Sequence, residues 1–406
     1  MSGAGGDDLM KSGTSGPGRG KGLVGEHMTW VEQVVALPGG FVGSMAVLDL
    51  DSGHHQSWLF RLDSHGSTLD LRPDGPALAS WMAQVGRLPA SGQAAFVSPL
   101  IAAAATPALR SRLAEIRREL DRRALPFSAL VSIGPRLWIL AGAADEPGAI
   151  EQQILAADLN RPGELALHAL PLDGLNLSET RRITVAARLG AALAVAVADP
   201  VRGFDLFRLE AEGTDFLPVL TEGAGRFALN AAISAVAGNG KGGLLLGTAA
   251  LAGPEDEPGN WGPELIDLMP DGNWDLVFGT MRFTPDRMAV PLSGMKPGLG
   301  DSANAAVRAI ATGRVGGRPL TCVALQGFEG SHVQDRRAVQ VDLMAYHGAV
   351  RLQASHDLQD WFSVPVVLPA GSGSVNVLAV TDQGLLIGHE GSDIRRVPVF
   401  LARPST

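Results

Sequence analysis

Apolar residues along this chain fall in short runs that recur as sets, roughly every 55 to 75 residues. In each set a Gly opens a short apolar strand and a loop follows. A strand of alternating residues comes next and ends near Asp-Gly-x-Trp. The clearest copy begins at Gly243 with Leu244-Leu245-Leu246-Gly247-Thr248. It continues through Glu264-Leu265-Ile266-Asp267-Leu268 to the turn Asp271-Gly272-Asn273-Trp274. An earlier copy runs from Gly190 through Leu193-Ala194-Val195-Ala196-Val197 and Phe204-Asp205-Leu206-Phe207-Arg208-Leu209, then Gly213-Thr214-Asp215-Phe216.

Sets of about four short strands at this spacing predict an all-β fold, a β-propeller. Six sets can be laid along the chain, so six blades are favoured and a count of seven is left open. The first spans 41–73 and the second starts at Phe127. The two quoted copies follow, then 305–367, then a set holding Val375-Asn376-Val377-Leu378-Ala379-Val380. That last set is one strand short. Residues 29–37 are expected to supply it, closing a single domain over 29–402 with strands from both termini and removing an exposed edge. Residues 1–28, rich in Gly and Ser, read as a disordered terminus. One stretch breaks the rhythm, a helical insertion over 76–125 between the first two blades. There Leu109, Leu113, Ile116 and Leu120 share one helical face. The Thr106-Pro107 pair suits a helix start.

Composition bears on partners. The formal charge of −9 leaves no basic surplus for nucleic acid. No run of about 18 apolar residues is present, so no membrane span is expected. The N-terminus lacks a secretory apolar stretch, so a cytoplasmic protein is expected. The single cysteine, Cys322, lies in Leu320-Thr321-Cys322-Val323-Ala324-Leu325 and reads as a buried structural thiol.

These sets resemble bacterial propeller proteins whose blades carry G-x-L-x-x-G-T followed by D-G-x-W. The run Ser355-His356-Asp357-Leu358-Gln359-Asp360-Trp361 is similar to the Asp-box turn, S-x-D-G-x-x-W, with Leu358 where that motif has Gly. The resemblance implies architecture and no particular activity, since such propellers include enzymes, lectins and scaffolds.

In four-stranded antiparallel blades, the loops after the second strand and those between blades emerge at one end. Most ionisable loop residues belong to that set, and rigid-scaffold loops favour ligand sites. Candidate catalytic residues are His54, His55, Asp199, Arg202, His332, His389 and Glu390. The four histidines are also candidate ligands for a divalent transition metal, although no HxH or HExxH spacing is present and the sequence requires no cofactor. The long segment 282–302 offers Arg287, Lys296, Asp301 and Ser302 as ligand-binding candidates; packing against the next blade is its structural alternative. The Gly238-Asn239-Gly240-Lys241-Gly242-Gly243 run joins two predicted strands and reads as a hairpin, not a phosphate loop. Two functions fit this pattern. One is a module binding a small molecule or a protein partner at the channel mouth. The other is a small-molecule enzyme, a lyase, hydrolase or cyclase with or without a metal, using the same face.

Overall fold

The computed structural model describes residues 27–37, 40–49, 54–63, 68–71, 127–133, 136–141, 152–158, 167–211, 213–250, 261–285, 287–327, 350–366, 375–381, 384–389 and 400–402. The helical insertion expected over 76–125 lies outside them, as does the N-terminal segment apart from His27 and Met28.

Strands follow one another as antiparallel meanders. Strands β1 (His27–Leu37), β2 (Gly40–Asp49), β3 (His54–Asp63) and β4 (Thr68–Leu71) pair in chain order. Strands β5 (Phe127–Ile133), β6 (Arg136–Ala141), β7 (Gln153–Asp158) and β8 (His168–Ala169) form the next set. They are followed by β9 (Arg182–Leu189), β10 (Ala192–Ala198), β11 (Asp205–Glu210) and β12 (Leu217–Leu220). A fourth meander holds β13 (Ala232–Gly238), β14 (Leu244–Ala249), β15 (Leu265–Leu268) and β16 (Trp274–Phe278). A small hairpin, β17 (Arg282–Phe283) and β18 (Met288–Ala289), separates it from β19 (Ala306–Val315), β20 (Arg318–Gln326), β21 (Val350–Ser355) and β22 (Trp361–Ser363). A bridge between Ala249 and Ala306 joins those two meanders. The last described set is β23 (Val375–Thr381), β24 (Gly384–His389) and β25 (Phe400–Ala402).

Turn chemistry explains the local pairing. Gly316 and Gly317 both adopt positive φ, 55° and 80°, between the paired Val315 and Arg318. That backbone matches the twist of a two-residue hairpin and disfavours any side chain. In the Asp271-Gly272-Asn273-Trp274 turn, Asp271 Oδ1 accepts the Asn273 N–H at 3.0 Å, and Gly272 has φ 91°. Residues 29–37 pair with β2, from Thr29↔Val47 to Leu37↔Gly40, and not within the last sheet as expected. Only Pro38-Gly39 separates the two strands, so closing that local hairpin costs little loop entropy.

The first strands of successive sets stand side by side: β5 by β9, β9 by β13, β13 by β19, β19 by β23 and β23 by β1. Apolar clusters fill the spaces between neighbouring sheets. One joins Trp138, Leu140 and Ile154 to Val195, Val197 and Phe207. Another joins Ala196, Phe204 and Leu206 to Leu246, Ile266 and Leu276. A third joins Leu245, Leu265 and Phe278 to Val307, Val323 and Leu325, and a fourth packs Cys322, Ala324 and Leu352 on Leu385 and Ile387. Radial meanders whose cores lie between sheets make this a propeller-type fold. Cys322 is fully buried, and burial pushes its thiol up to about 12, so it is a packing residue and not a thiolate nucleophile.

The repeated motif has a packing role. A Cβ on Gly247 would lie 2.5 Å from Val307 Cβ, so its absence lets β14 meet the next sheet. The Thr248 hydroxyl accepts the Glu264 N–H at 2.8 Å. In the Asp-box-like turn, Asp357 Oδ1 accepts the N–H groups of Gln359 and Asp360 at 2.8 and 2.9 Å, and these bonds hold its carboxyl below the ordinary range. Leu358 stands there at φ 66°, the left-handed conformation for which the motif has Gly. Trp361 closes the turn edge-on against Phe278, ring centroids 5.7 Å apart.

Candidate functional site

Strand direction sorts the loops. The last residues of β10, β14 and β20 and the first residues of β9, β13 and β19 lie at one end of the fold; the turns at Gly190, Gly272 and Gly316 lie at the other. At the first end, Arg181 stands just before β9 and reaches two carboxylates. Its Nη1 donates to Asp199 Oδ2 at 2.5 Å and its Nη2 to Asp205 Oδ2 at 2.8 Å, while its Nε donates to the Asn176 carbonyl at 3.1 Å. Asp199 follows β10 and Asp205 opens β11, so three neighbouring chain segments converge on one guanidinium.

Electrostatics fix this arrangement. Burial by itself would raise the Asp199 carboxyl, but the N–H of Arg202, the Arg181 guanidinium and the N–H of Val201 outweigh it and hold Asp199 below its ordinary value. Burial likewise works to lower Arg181, and its hydrogen bonds to Asp205 and Asp199 overcome that effect and raise it. Arg181 and Asp199 are therefore each held in the charged form by the other.

The remaining valences of the two carboxylates hold backbone. Asp199 Oδ1 accepts the N–H groups of Val201 and Arg202, both at 2.8 Å. Asp205 Oδ1 accepts the Glu222 N–H at 3.0 Å. Above this floor lies a cavity of about 450 Å³ lined by Asn176, Arg181, Asp199, Arg202, Asp205, Phe207, Thr221 and Glu222. That volume lies within the range of small-molecule sites. Two guanidiniums face three carboxylates, with one aromatic wall.

A second polar network braces the neighbouring loops. Glu264, fully buried, accepts from Asn230 Nδ2 at 2.8 Å, the Thr280 N–H at 2.7 Å and Arg282 Nη1 at 2.9 Å. Arg226 Nε stands 3.5 Å away. Asn230 Nδ2 also donates to the Gly223 carbonyl at 3.0 Å, tying this network to the loop that carries Glu222.

Of the residues expected from sequence, the structure brings Asp199 and Arg202 together in the cleft. Arg287 goes elsewhere: its Nη1 bonds Asp275 Oδ1 at 3.1 Å and its guanidinium lies over the Trp274 ring at 5.4 Å, towards the opposite end. The segment after it runs along β16, with the Leu292 and Ser293 N–H groups donating to the carbonyls of Leu276 and Val277. Lys296 and Ser302 are exposed, and Asp301 pairs with Arg351 at 3.3 Å; none of these lines the cleft. The backbones of His54 and His55 open β3 and that of His389 ends β24. His332 and Glu390 lie outside the described residues. Among the described residues no group of three or more His, Cys, Asp or Glu is placed to hold a metal ion, and no helix is long and apolar enough to cross a membrane.

Sequence reasoning missed Arg181, Asp205 and Glu222. Asp205 sat unremarked inside an alternating strand. The available signal was an Arg just before the apolar-rich stretch 182–189, with Asp199 opening the next loop and Asp205 the strand after it.

No protein-family model matches the chain, and no curated protein sequence matches it. Among solved structures, the Trypanosoma rangeli sialidase aligns at TM-score 0.38 and 12% identity, over 91% of this chain and 53% of the sialidase. The chain thus spans about half the length of that protein. The SapL1 lectin in complex with alpha methyl fucoside aligns at TM-score 0.39 and 10% identity, over 89% of this chain and 87% of the lectin. The β-propeller domain of the Trilobed protease from Pyrococcus furiosus aligns at 0.34 and 9%, over 90% and 80% respectively. All three are distant likenesses, and the propeller-type fold stands on the strand order and inter-sheet cores themselves.

Proposed function

We propose that the protein is a ligand-binding propeller module whose cleft around Arg181 takes a small polar molecule. One observation carries this reading: the cavity of about 450 Å³ has a floor of mutually paired charges that is already built. A floor fixed before binding removes ordering costs from the binding step. The same pairing speaks against the enzyme alternative. Asp199 is held ionised and fully hydrogen-bonded, which suits positioning and not proton relay at neutral pH. In this reading the ring has six blades, closed where β23 meets β1, and needs no cofactor.

Ligand-observed NMR with a library of polar fragments tests the site. Fragments should bind the wild type and lose binding in Thr221→Trp, whose indole fills the cavity. Absence of hits, or hits unaffected by Thr221→Trp, would overturn the assignment.

A further inference from the structure

The cleft contains one residue that its local fold does not require. Residues Glu222, Gly223, Ala224 and Gly225 adopt positive φ in succession, at 52°, 62°, 56° and 80°. The chain builds the same left-handed turn a second time, at Gly298, Leu299 and Gly300, with φ 61°, 57° and 82°. Both copies are locked alike. Asn230 Nδ2 donates to the Gly223 carbonyl at 3.0 Å and Asn304 Nδ2 to the Gly298 carbonyl at 2.9 Å. The Gly223 N–H donates to Phe204 and that of Gly298 to Pro263, and each Asn is followed by Ala-Ala at the start of an inner strand. In the second copy the residue matching Glu222 is Pro297, which is buried and outside the left-handed region.

The turn therefore forms without a strained, charged residue at its first position. The left-handed region is unfavourable for a non-glycine residue, and such outliers concentrate at ligand sites. The floor holds Glu222 there by its backbone alone, through the N–H bond to Asp205. Its carboxylate stays half exposed, with one long contact to Arg202 at 3.4 Å. Arg202 is held in the matching way, its N–H on Asp199 and its side chain 64% exposed. Arg181 bridges the two aspartates, so one rigid unit presents a cation and an anion side by side, both anchored at the main chain and loose at the head group.

An exposed ion pair of this kind contributes little to stability, so exchanging it for another pair costs little. A ligand with a single charge would strip one partner and strand the other; a neutral ligand would gain nothing from either. We infer that the cleft binds a small zwitterion of amino-acid size, its ammonium on Glu222 and its carboxylate on Arg202, with Phe207 as the apolar wall and Asn176 and Thr221 supplying neutral hydrogen bonds. This rests on the cleft being the binding site.

Isothermal titration with the free L-amino acids tests it, alongside methyl esters and N-acetyl derivatives of any that bind, with glucose as a neutral control. At least one amino acid should bind, and removing either of its charges should weaken binding about 10-fold or more. Arg202→Glu and Glu222→Arg should each abolish it. The double exchange, Arg202→Glu with Glu222→Arg, should recover most of the affinity with the ligand reversed. Failure of every amino acid to bind, or failure of the exchange variant to recover, overturns the zwitterion assignment. If glucose or a singly charged fragment binds instead and is lost in Thr221→Trp, the site stands and its ligand class falls. If no probe binds in a manner sensitive to Thr221→Trp, the site falls as well.

Discussion

Removing the carboxylate of Glu264 is expected to destabilise the protein far more than truncating a charge at its surface. The side chain has no exposed surface and faces Arg226 and Arg282, whose side chains are only 3% and 9% exposed. Glu264→Ala removes from the interior the carboxylate that both guanidiniums face, at a cost of about 3 to 5 kcal/mol. Against a total stability of about 5 to 15 kcal/mol, that is a large fraction. Glu264→Gln separates charge from shape. Its new amide N–H₂ would face Asn230 Nδ2, and Asn230 cannot turn, because its Oδ1 already accepts from Thr248 at 3.0 Å and Arg226 at 3.1 Å. The expected cost of Glu264→Gln is about 2 to 3 kcal/mol. Urea unfolding followed by tryptophan fluorescence and far-UV circular dichroism measures both. Glu210→Ala is the control, since the Arg208–Glu210 pair lies at the surface and should contribute less than about 1 kcal/mol. A Glu264→Ala protein within about 1 kcal/mol of wild type would refute the claim that this network braces the loops.

Other expectations follow from the same geometry. Gly247→Ala should cost about 1 to 3 kcal/mol by driving a methyl into Val307, and adding Val307→Ala should recover part of that loss; strictly additive effects in the cycle would show that the two sheets do not meet there. Asp199 has a folded pKa below its ordinary value of 3.8, so its contribution is present above that pH and lost as pH falls through the lower folded value. Asp199→Asn should therefore flatten the acid limb of the stability–pH curve, and an unchanged limb would contradict the pairing with Arg181. Leu358→Asn should stay within about 1 kcal/mol of wild type, because relief of the left-handed strain offsets lost apolar burial; a loss above about 2.5 kcal/mol would show that packing dominates. Elemental mass spectrometry of the purified, untagged protein should find no stoichiometric transition metal. One equivalent, lost on replacing His54, His55, His332 or His389 by Ala, would establish a metal centre at the channel mouth.

Much of the strand framework was legible because each β-strand announces itself locally. Leu193 to Val197 and Leu244 to Thr248 fall inside β10 and β14 as their apolar runs predict, and Asp271-Gly272-Asn273-Trp274 turns where its Gly requires it. The cleft was legible only in part. Asp199 and Arg202 drew notice as charges in a loop, whereas Arg181 looked like any polar residue before a strand and Glu222 like any acid beside glycines. What gathers them into one cleft is convergence across 42 positions of sequence, from Arg181 to Glu222, and no local pattern encodes that. The histidines stood out by residue type and not by any spacing that would force them together. Arg287 drew notice for its charge, and its partners, Trp274 and Asp275, are set by how the 282–302 segment folds back along β16.

By itself the sequence determined that the chain is built of short antiparallel strands in repeated sets, where glycines permit tight turns and close sheet approach, and that Cys322 is buried. These follow from side-chain periodicity and backbone sterics, which act over a few residues. Only the tertiary structure decided that β1 pairs with β2, that Glu264 gathers two arginines, and that Arg181 draws Asp199 and Asp205 into one floor. Those outcomes depend on which strand ends share a face of the fold, and on the cost of burying charge, which is offset only when distant partners arrive together.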